Sequence, residues 1–119
     1  MQEFGYRKLV VWQEARKLVG LVYTLTREFP KEEMFGLTSQ ARRAAVSIVA
    51  NVAEGWLRKS IADKRHFIEI SQGSLMELDA EMDIAREVNY IDRNEHTTFA
   101  EQVHRVNYLL DRYYASIHS

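Results

Sequence analysis

The sequence contains no cysteine, a single proline and only five glycines among 119 residues. Without cysteine there are no disulfides, thiolate metal ligands or cysteine nucleophiles, which suits a cytoplasmic protein. Because proline and glycine mark turns, their scarcity argues against the frequent turns of an all-β fold and favours long helices. No uncharged apolar run approaches the roughly 20 residues that span a bilayer, and the N-terminal residues lack the apolar stretch of a signal peptide. We therefore expect a cytoplasmic protein without a membrane segment.

The charge is nearly balanced overall but unevenly distributed. The net charge is −1, yet residues 1–60 hold ten Lys/Arg against six Asp/Glu, whereas residues 61–119 hold six against eleven. An overall basic field that would attract nucleic acid is therefore absent, while a basic face on the first half is compatible with the sequence. The length suits one domain, residues 1–119, with a sizeable core.

Apolar residues recur at alternating spacings of four and three along four segments, which is the period of helices that bury one face. These segments predict helices over about residues 9–28, 37–58, 61–88 and 94–117. Ser60 and Asp92 carry N-cap patterns before the last two helices, and Pro30 ends the first. Because the connections are short, successive helices must be antiparallel. The sequence therefore predicts an all-α, up-down-up-down four-helix bundle.

The middle of the second predicted helix is apolar almost all round, unlike a surface helix. A four-helix bundle covers about one face of each helix, so we expect the surplus face to form an oligomer interface; an N-terminal arm covering the same surface is the alternative. The candidate interface residues are Val46, Val49, Ala50, Ala53 and Trp56. Gly73, inside the third helix at a cost of about 1 kcal/mol relative to alanine, predicts close packing there.

Several motifs follow one another along the chain: Leu9-Val10-Val11-Trp12-Gln13, Phe29-Pro30-Lys31-Glu32-Glu33, Gln40-Ala41-Arg42-Arg43-Ala44-Ala45, Asn51-Val52-Ala53-Glu54-Gly55 and Gly73-Ser74-Leu75-Met76-Glu77-Leu78. In this order they resemble the bacterial four helix bundle protein family, also called 23S rRNA intervening-sequence proteins, over essentially the whole chain. The resemblance implies a ring-shaped homopentamer with a central pore. A related branch is the accessory variability determinant of diversity-generating retroelements, which is basic and works with a reverse transcriptase and nucleic acid; this chain departs from it in its near-neutral charge. The resemblance supplies no catalytic residues.

A polar stripe interrupts the apolar second helix, and neighbouring polar residues on the third helix are its plausible partners. Embedded polar groups must find partners or cost roughly 1–3 kcal/mol each. We expect either a structural network that fixes helix register or the subunit interface, or a small-ligand or ion site in the core. The predicted buried network comprises Gln40, Arg43, Ser47, Asn51, Glu54, Ser74 and Glu77.

Three pairs of cations on the first two helices are candidate nucleic-acid contacts: Arg16, Lys17, Arg42, Arg43, Arg58 and Lys59. Cations on adjacent helices can line a pore or groove and contact phosphates. The alternative is that they pair with acidic residues, including those of the third helix, and so set the orientation of subunits in a head-to-tail ring.

Two Glu/Asp-x-x-His spacings, Glu101 to His104 and Asp63 to His66, match half of a di-iron motif, but Val103 rather than its acidic and histidine neighbours falls on the core stripe. We therefore predict no metal and no cofactor. The exposed aromatic residues are expected to cap the core or to join the apolar side of the second helix in an association surface; they are Phe4, Tyr6, Phe35, Trp56, Tyr90, Tyr108 and Tyr114.

The sequence lacks the nucleophile elbow, phosphate-binding loop and dinucleotide fingerprint of common enzymes. It therefore predicts a non-enzymatic, self-associating helical bundle with a scaffold or adaptor role. The alternative is a nucleic-acid-associated accessory protein that binds RNA, DNA or a reverse transcriptase through the basic residues of the first two helices. A ligand- or metal-binding bundle is the third hypothesis.

Overall fold

A computed structural model describes residues 4–118 and contains four long α-helices. They are α1 (Val10–Thr26), α2 (Leu37–Leu57), α3 (Ile61–Glu87) and α4 (Arg93–Ser116), with short 3-10 helices at Gly5–Lys8 and Lys31–Glu33. All four predicted helices are confirmed, and each bound lies within two residues of its predicted position. Of the predicted domain 1–119, Met1–Glu3 and Ser119 lie outside the described residues.

The four helices form an antiparallel bundle. Helices that follow one another in the chain pack together, and α4 packs against α1. Contacts across the α2–α3 pair show its antiparallel direction. Ser47 of α2 meets Ser74 of α3, while Trp56, farther along α2, accepts a hydrogen bond from Lys64 near the start of α3. The up-down-up-down topology predicted from the short connections is therefore present, in a molecule 47 Å long.

The core is built from the predicted four-three stripes. The buried residues include Val11, Ala15, Leu18, Val22 and Leu25 of α1, Leu75, Leu78, Met82 and Ala85 of α3, and Phe99, Val103, Val106 and Leu110 of α4. Because apolar residues alternate with charged ones on the outward faces, no helix among residues 4–118 is long and apolar enough to cross a membrane.

α2 and α3 form the most extensive helix pair. Ala41, Ala44, Ala45 and Gly55 on the buried face of α2 let the two helices approach closely. At Gly55 a Cβ atom would lie 3.2 Å from both the backbone oxygen of Lys64 and the Cβ of Phe67. This close approach sets the spacing of the outward faces on which the candidate sites lie.

Both predicted N-caps are present. The Ser60 hydroxyl accepts a hydrogen bond from the backbone N–H of Asp63 at 3.0 Å. At α4, the Asp92 carboxylate accepts from the N–H of Glu95, and the Glu95 carboxylate accepts from the N–H of Asp92, which completes a capping box. These caps fix where α3 and α4 begin.

Candidate interaction surface

A shallow apolar groove runs along the outer seam between α1 and α2. Its middle is lined by Trp12, Arg16, Val19, Val46, Val49 and Ala50. It continues through Val46 to Tyr23, Met34, Arg42 and Arg43 at one end of the bundle, and through Ala50 to Phe4, Ala53 and Leu57 at the other. We call this continuous surface the α1/α2 groove.

The α1/α2 groove contains the residues of the predicted oligomer interface. Val46 is 45% exposed, Leu57 is 65% exposed, and Ala50 is also exposed. At the Phe4 end, the N-terminal 3-10 helix lies over Trp56: the Tyr6 ring packs edge-on against Trp56 at 6.3 Å between centroids. The N-terminal segment therefore covers Trp56, as the alternative of an N-terminal arm predicted, and Trp56 is half-buried within the single chain. Val46 and Ala50 remain on the surface.

The predicted basic set is divided among three places. Arg16 stacks over Trp12, with its guanidinium carbon 5.1 Å from the ring centroid, and Arg42 stacks over Tyr23 while donating to the Thr26 hydroxyl. With the exposed Arg43, they line the α1/α2 groove. These three arginines give the groove a cationic edge.

Lys17, also a candidate nucleic-acid contact, does not lie on the same surface as Arg16, because consecutive residues on a helix lie about 100° apart. Lys17 lies beside Gln102 and Arg105 of α4, and its ammonium is 2.8 Å from the carboxylate of Glu14 on α1. At the end of α2, Arg58 bonds to Glu54 and covers the Phe67 ring, while Lys59 is exposed in the α2–α3 connection.

The side of α3 that faces away from the core forms a second exposed surface. Met76 is 50% exposed and Ile84 53% exposed, and acidic side chains surround them. We call this surface the α3 outer face; its residues are Glu69, Gly73, Met76, Glu77, Ala80, Asp83, Ile84, Glu87 and Val88, all exposed. Gly73 does not serve the predicted packing within the chain, because no atom of another described element lies within 4 Å of the position that a Cβ atom would take there.

The predicted polar network is present only in its middle. The hydroxyls of Ser47 and Ser74 are 2.8 Å apart across α2 and α3, and the Asn51 amide donates to both the carbonyl and the hydroxyl of Ser47. All three side chains are half-buried. The Ser47–Ser74 hydrogen bond links α2 to α3.

The prediction of burial is wrong in this chain for Gln40, Arg43 and Glu77, which are exposed. The polar stripe follows the outer edge of the contact between α2 and α3. Only its central residues are enclosed between the two helices, and the others face solvent. Glu54, half-buried, bonds to Arg58 instead of joining the serines.

Sequence analysis missed Glu81, a carboxylate that is 7% exposed on α3. Among the described residues its Oε1 atom has no hydrogen-bond partner. Burial, together with the charge and a hydrogen bond of Glu77, raises the pKa of Glu81 to about 7. The signal was in the sequence, since Glu81 is three residues after Leu78 and four before Ala85 and therefore shares their face.

The remaining candidate residues divide by position. Phe4, Tyr6 and Trp56 gather at one end of the α1/α2 groove, whereas Tyr90 donates to Glu33 and Tyr114 donates to Glu69 elsewhere on the bundle. Phe35 and Tyr108 are exposed away from the groove.

The Glu/Asp-x-x-His pairs lie on exposed faces as the core stripe predicted, with Glu101, His104, Asp63 and His66 all exposed. Within the part of the chain that the structure describes, no three His, Asp or Glu side chains converge to hold a metal ion.

Comparison with known proteins shows the family of this chain and a solved structure with a similar fold. A model of the 23S rRNA-intervening sequence protein family matches residues 7–112. The chain is also similar to a protein of unknown function from the S23 ribosomal protein family of Bacteroides thetaiotaomicron, with 20% sequence identity, a TM-score of 0.82, and coverage of 90% of this chain and 100% of that chain. At that identity the likeness concerns the fold alone. A search of curated proteins found no match.

Proposed function

The chain belongs to the 23S rRNA-intervening sequence protein family, and from that premise we propose that it is a cytoplasmic, non-enzymatic scaffold that self-associates through the α1/α2 groove. The observation that carries the proposal is the groove itself. Apolar side chains follow its whole length, from Met34 through Val46 and Ala50 to Leu57.

The physical argument is that a continuous apolar surface gains free energy when it leaves water. Burial contributes about 25 cal/mol for each Å² of apolar surface removed, and contiguous exposed apolar patches mark association sites. Single exposed apolar residues are ordinary on protein surfaces, but here they adjoin one another in a concave seam. The small side chains of Ala50 and Ala53 allow another helix to approach the backbone of α2.

The ring-shaped homopentamer follows from the family resemblance and belongs to this proposal. It gives the scaffold a definite size, five times the chain mass of 14.0 kDa. A scaffold of that kind would present five copies of each surface that lies outside the groove, including the projecting Phe35.

Light scattering on a gel-filtration column tests the proposal. We expect the wild-type chain to elute as an oligomer and Ala50→Glu to elute as a monomer with an unchanged helical circular-dichroism spectrum. The matched control is Ala115→Glu, which places the same charge at an exposed position near the end of α4. A monomeric wild type at micromolar to millimolar concentration, or an Ala50→Glu variant that assembles as well as the control, would overturn the proposal.

A second candidate function is nucleic-acid association. The observation that favours it is the row of Arg16, Arg42 and Arg43 along one groove, beside the exposed Tyr23. Phosphate contacts make binding fall steeply with salt, so a filter-binding titration with single-stranded RNA at two salt concentrations tests it. Retention of RNA that falls with salt and is lost in Arg42→Ala/Arg43→Ala would support this function; no retention at low salt would eliminate it.

A further inference from the structure

We propose that the α3 outer face binds a cationic amphipathic helix of another protein. The inference goes beyond the proposed self-association, because it uses a different surface of the chain and a partner of different chemistry. The partner's helix carries one apolar stripe with lysine or arginine residues on both sides of it. It lies along α3, between Glu69 at one end and Glu87 at the other.

Apolar residues form a line along the middle of the α3 outer face. Gly73, Met76, Ala80 and Ile84 are all exposed, and their spacings of three and four place them on one side of the helix. We call these four residues the α3 apolar stripe. Single exposed apolar residues are ordinary on protein surfaces, but here they follow one another over about three turns of one helix. Such a continuous strip is a surface for contact.

Small and large residues alternate along the α3 apolar stripe. Met76 and Ile84 are each about half exposed, and the small Gly73 and Ala80 leave room beside them. Helices that pack with spacings of four and three insert their large side chains into such spaces on the facing helix. The unbranched side chain of Met76 adapts to the shape of a partner. The stripe is therefore suited to the apolar side of another helix.

Gly73 is the residue of the stripe that the chain itself does not explain. It lies inside α3, where glycine is a poorer helix former than alanine. No atom of another described element lies within 4 Å of the position that a Cβ atom would take there. Glycine permits another backbone to approach closely, so a partner helix that crosses α3 at Gly73 accounts for its presence.

Acidic residues lie on both sides of the α3 apolar stripe. Glu77 directly follows Met76, and Asp83 directly precedes Ile84. Since consecutive residues of a helix are about 100° apart, the two carboxylates lie on opposite sides of the stripe. A partner helix centred on the stripe therefore meets negative charge along both of its flanks, and cations at those positions complement it.

The same sign of charge continues to both ends of the α3 outer face, at Glu69 and Glu87. The nine residues of this face include four carboxylates and no Lys, Arg or His. Within residues 4–118, no lysine or arginine forms an ion pair with any of these four carboxylates. Lysine or arginine side chains of the partner supply the opposite charges that the chain does not provide.

A second copy of this chain fits the α3 outer face less well than a separate cationic helix. Two α3 outer faces repel each other, because they carry the same charge. The α1/α2 groove carries arginines from its middle to its Tyr23 end, but Glu54 is the charged residue that lines its Phe4 end. One end of the α3 outer face therefore meets a carboxylate in either direction of packing. The charges favour another protein as the partner.

A fluorescent peptide tests the inference. The probe is a peptide of leucine and lysine about 18 residues, or five turns, long, labelled with fluorescein at its N-terminus. Its order gives the helix one leucine stripe with lysines on both sides. Fluorescence anisotropy measures its dissociation constant for the wild-type chain. We expect saturable binding that is at least about tenfold tighter than that of a scrambled peptide of the same composition, which has no apolar stripe. Glutamate in place of every lysine should abolish binding.

A matched pair of variants locates the binding site. Ala80→Arg places a bulky cation at the centre of the α3 apolar stripe, and Ala115→Arg makes the same change at an exposed position near the end of α4. Because arginine is a good helix former, both variants should keep the circular-dichroism spectrum and unfolding temperature of the wild type. We expect Ala80→Arg to weaken peptide binding by at least about tenfold and Ala115→Arg to leave it within about twofold of the wild type.

A second pair of variants tests the charges without adding bulk. Glu87→Gln removes one carboxylate from the α3 outer face, and Glu101→Gln removes one from an exposed position of α4. We expect Glu87→Gln to weaken peptide binding by about threefold and Glu101→Gln to change it little.

Three outcomes would overturn the inference. One is an Ala80→Arg chain that binds the peptide as tightly as Ala115→Arg does, and another is equal binding of the scrambled peptide. The third comes from light scattering: if Ala80→Arg dissociates a wild-type assembly that Ala115→Arg leaves intact, the α3 outer face is a contact between copies, and the proposed self-association still stands. A monomeric wild type that binds the peptide through this face would instead overturn the proposed function alone.

Discussion

Two buried carboxylates of the bundle have opposite electrostatic surroundings. Glu14 of α1 lies 2.8 Å from Lys17 and 3.3 Å from Arg105 of α4, and the Gln102 amide also donates to it. Glu81 has the Glu77 carboxylate beside it and no partner for Oε1 among residues 4–118. The first arrangement stabilises the charged form of the carboxyl, and the second stabilises the neutral form.

Glu81 should therefore make the bundle less stable as the pH rises through neutrality. Its pKa of about 7 in the folded chain exceeds the ordinary value of 4.5, so the folded state holds a proton that the unfolded state has released between these values. This contribution is complete below pH 4.5 and is lost as the pH passes 7. We expect Glu81→Gln to raise the free energy of unfolding at pH 8 by on the order of 2 kcal/mol and to change it little at pH 4.5.

Urea unfolding of both chains at pH 4.5, 6 and 8 measures this difference. Glu101→Gln, which makes the same chemical change at an exposed carboxyl of α4, is the control for the loss of one negative charge. If Glu81→Gln and the wild type show the same change in unfolding free energy from pH 4.5 to 8, burial of the Glu81 carboxyl is not the cause.

Glu14 should show the opposite dependence. The hydrogen bond from Lys17 is the main cause that lowers the pKa of Glu14 below 4.5, with Gln102 and Arg105 adding to it against the effect of burial. Its contribution is present above pH 4.5 and lost as the pH falls through the lowered pKa. Glu14→Gln should reduce the unfolding free energy at pH 7 by roughly 1–3 kcal/mol. Denaturant unfolding at pH 7 and pH 3 checks this, since a deficit that persists unchanged at pH 3 would contradict the ionic explanation.

At the scale of single helices, the bundle contains two glycines that sit in opposite surroundings. Gly55 of α2 faces the α3 backbone, and a Cβ there would lie 3.2 Å from the Lys64 oxygen. Gly73 of α3 faces outward, with open space over it in the single chain. The same substitution should therefore have opposite effects at the two positions.

Gly73→Ala should raise the unfolding free energy of the dissociated chain by about 1 kcal/mol, because alanine is the better helix former. Gly55→Ala should lower it by about 1–3 kcal/mol, because α3 must move away from α2 to admit the methyl group. Thermal or urea unfolding of the two variants in an Ala50→Glu background, where we expect monomers, measures both. A stabilised Gly55→Ala variant would show that the α2–α3 spacing can relax.

The contrast between these glycines also shows how far the sequence could predict the structure. Four-three periodicity identifies the face of a helix that is buried, which is why the helix bounds and the stripe from Val11 to Leu25 were predicted correctly. Periodicity does not say which neighbour each remaining face meets. For that reason Arg16 and Lys17 were grouped although one faces α2 and the other α4, and Gly73 was expected to pack inside the chain.

The polar stripe shows the same limit at the candidate site. Ser47 and Asn51 were recognised because polar residues in an apolar helix need partners, and they do bond to one another and to Ser74. Gln40 and Arg43 lie on the same line of α2, but outside the part of the stripe that α2 and α3 enclose. The spacing of side chains within one helix does not show where a neighbouring helix encloses it. The α3 outer face was predicted only in part. Its acidic residues were recognised from the sequence, whereas the exposure of Met76 and Ile84 is known only from the structure.

At the scale of the whole molecule, a near-zero net charge conceals two oppositely charged surfaces. The chain has 16 basic and 17 acidic residues, yet arginines line the α1/α2 groove and acidic residues surround Met76 on α3. A neutral molecule with this distribution has little overall field to attract nucleic acid. In the proposed assembly, the salt dependence of association separates the contribution of these charges from that of the apolar residues in the groove.

Raising sodium chloride from 0.1 M to 1 M shortens the Debye length from about 10 Å to about 3 Å. In the proposed assembly this screens the charges of exposed groove residues such as Arg43 far more than it affects apolar contacts around Val46 and Ala50. We expect the apparent dissociation constant of the wild-type assembly to rise about tenfold over this range without complete dissociation. The Arg43→Ala variant should assemble more weakly at 0.1 M and show a smaller salt dependence. Sedimentation velocity over a concentration series at both salt levels measures these constants. Assembly that salt leaves unchanged in the wild type would mean that the apolar surfaces alone hold the copies together.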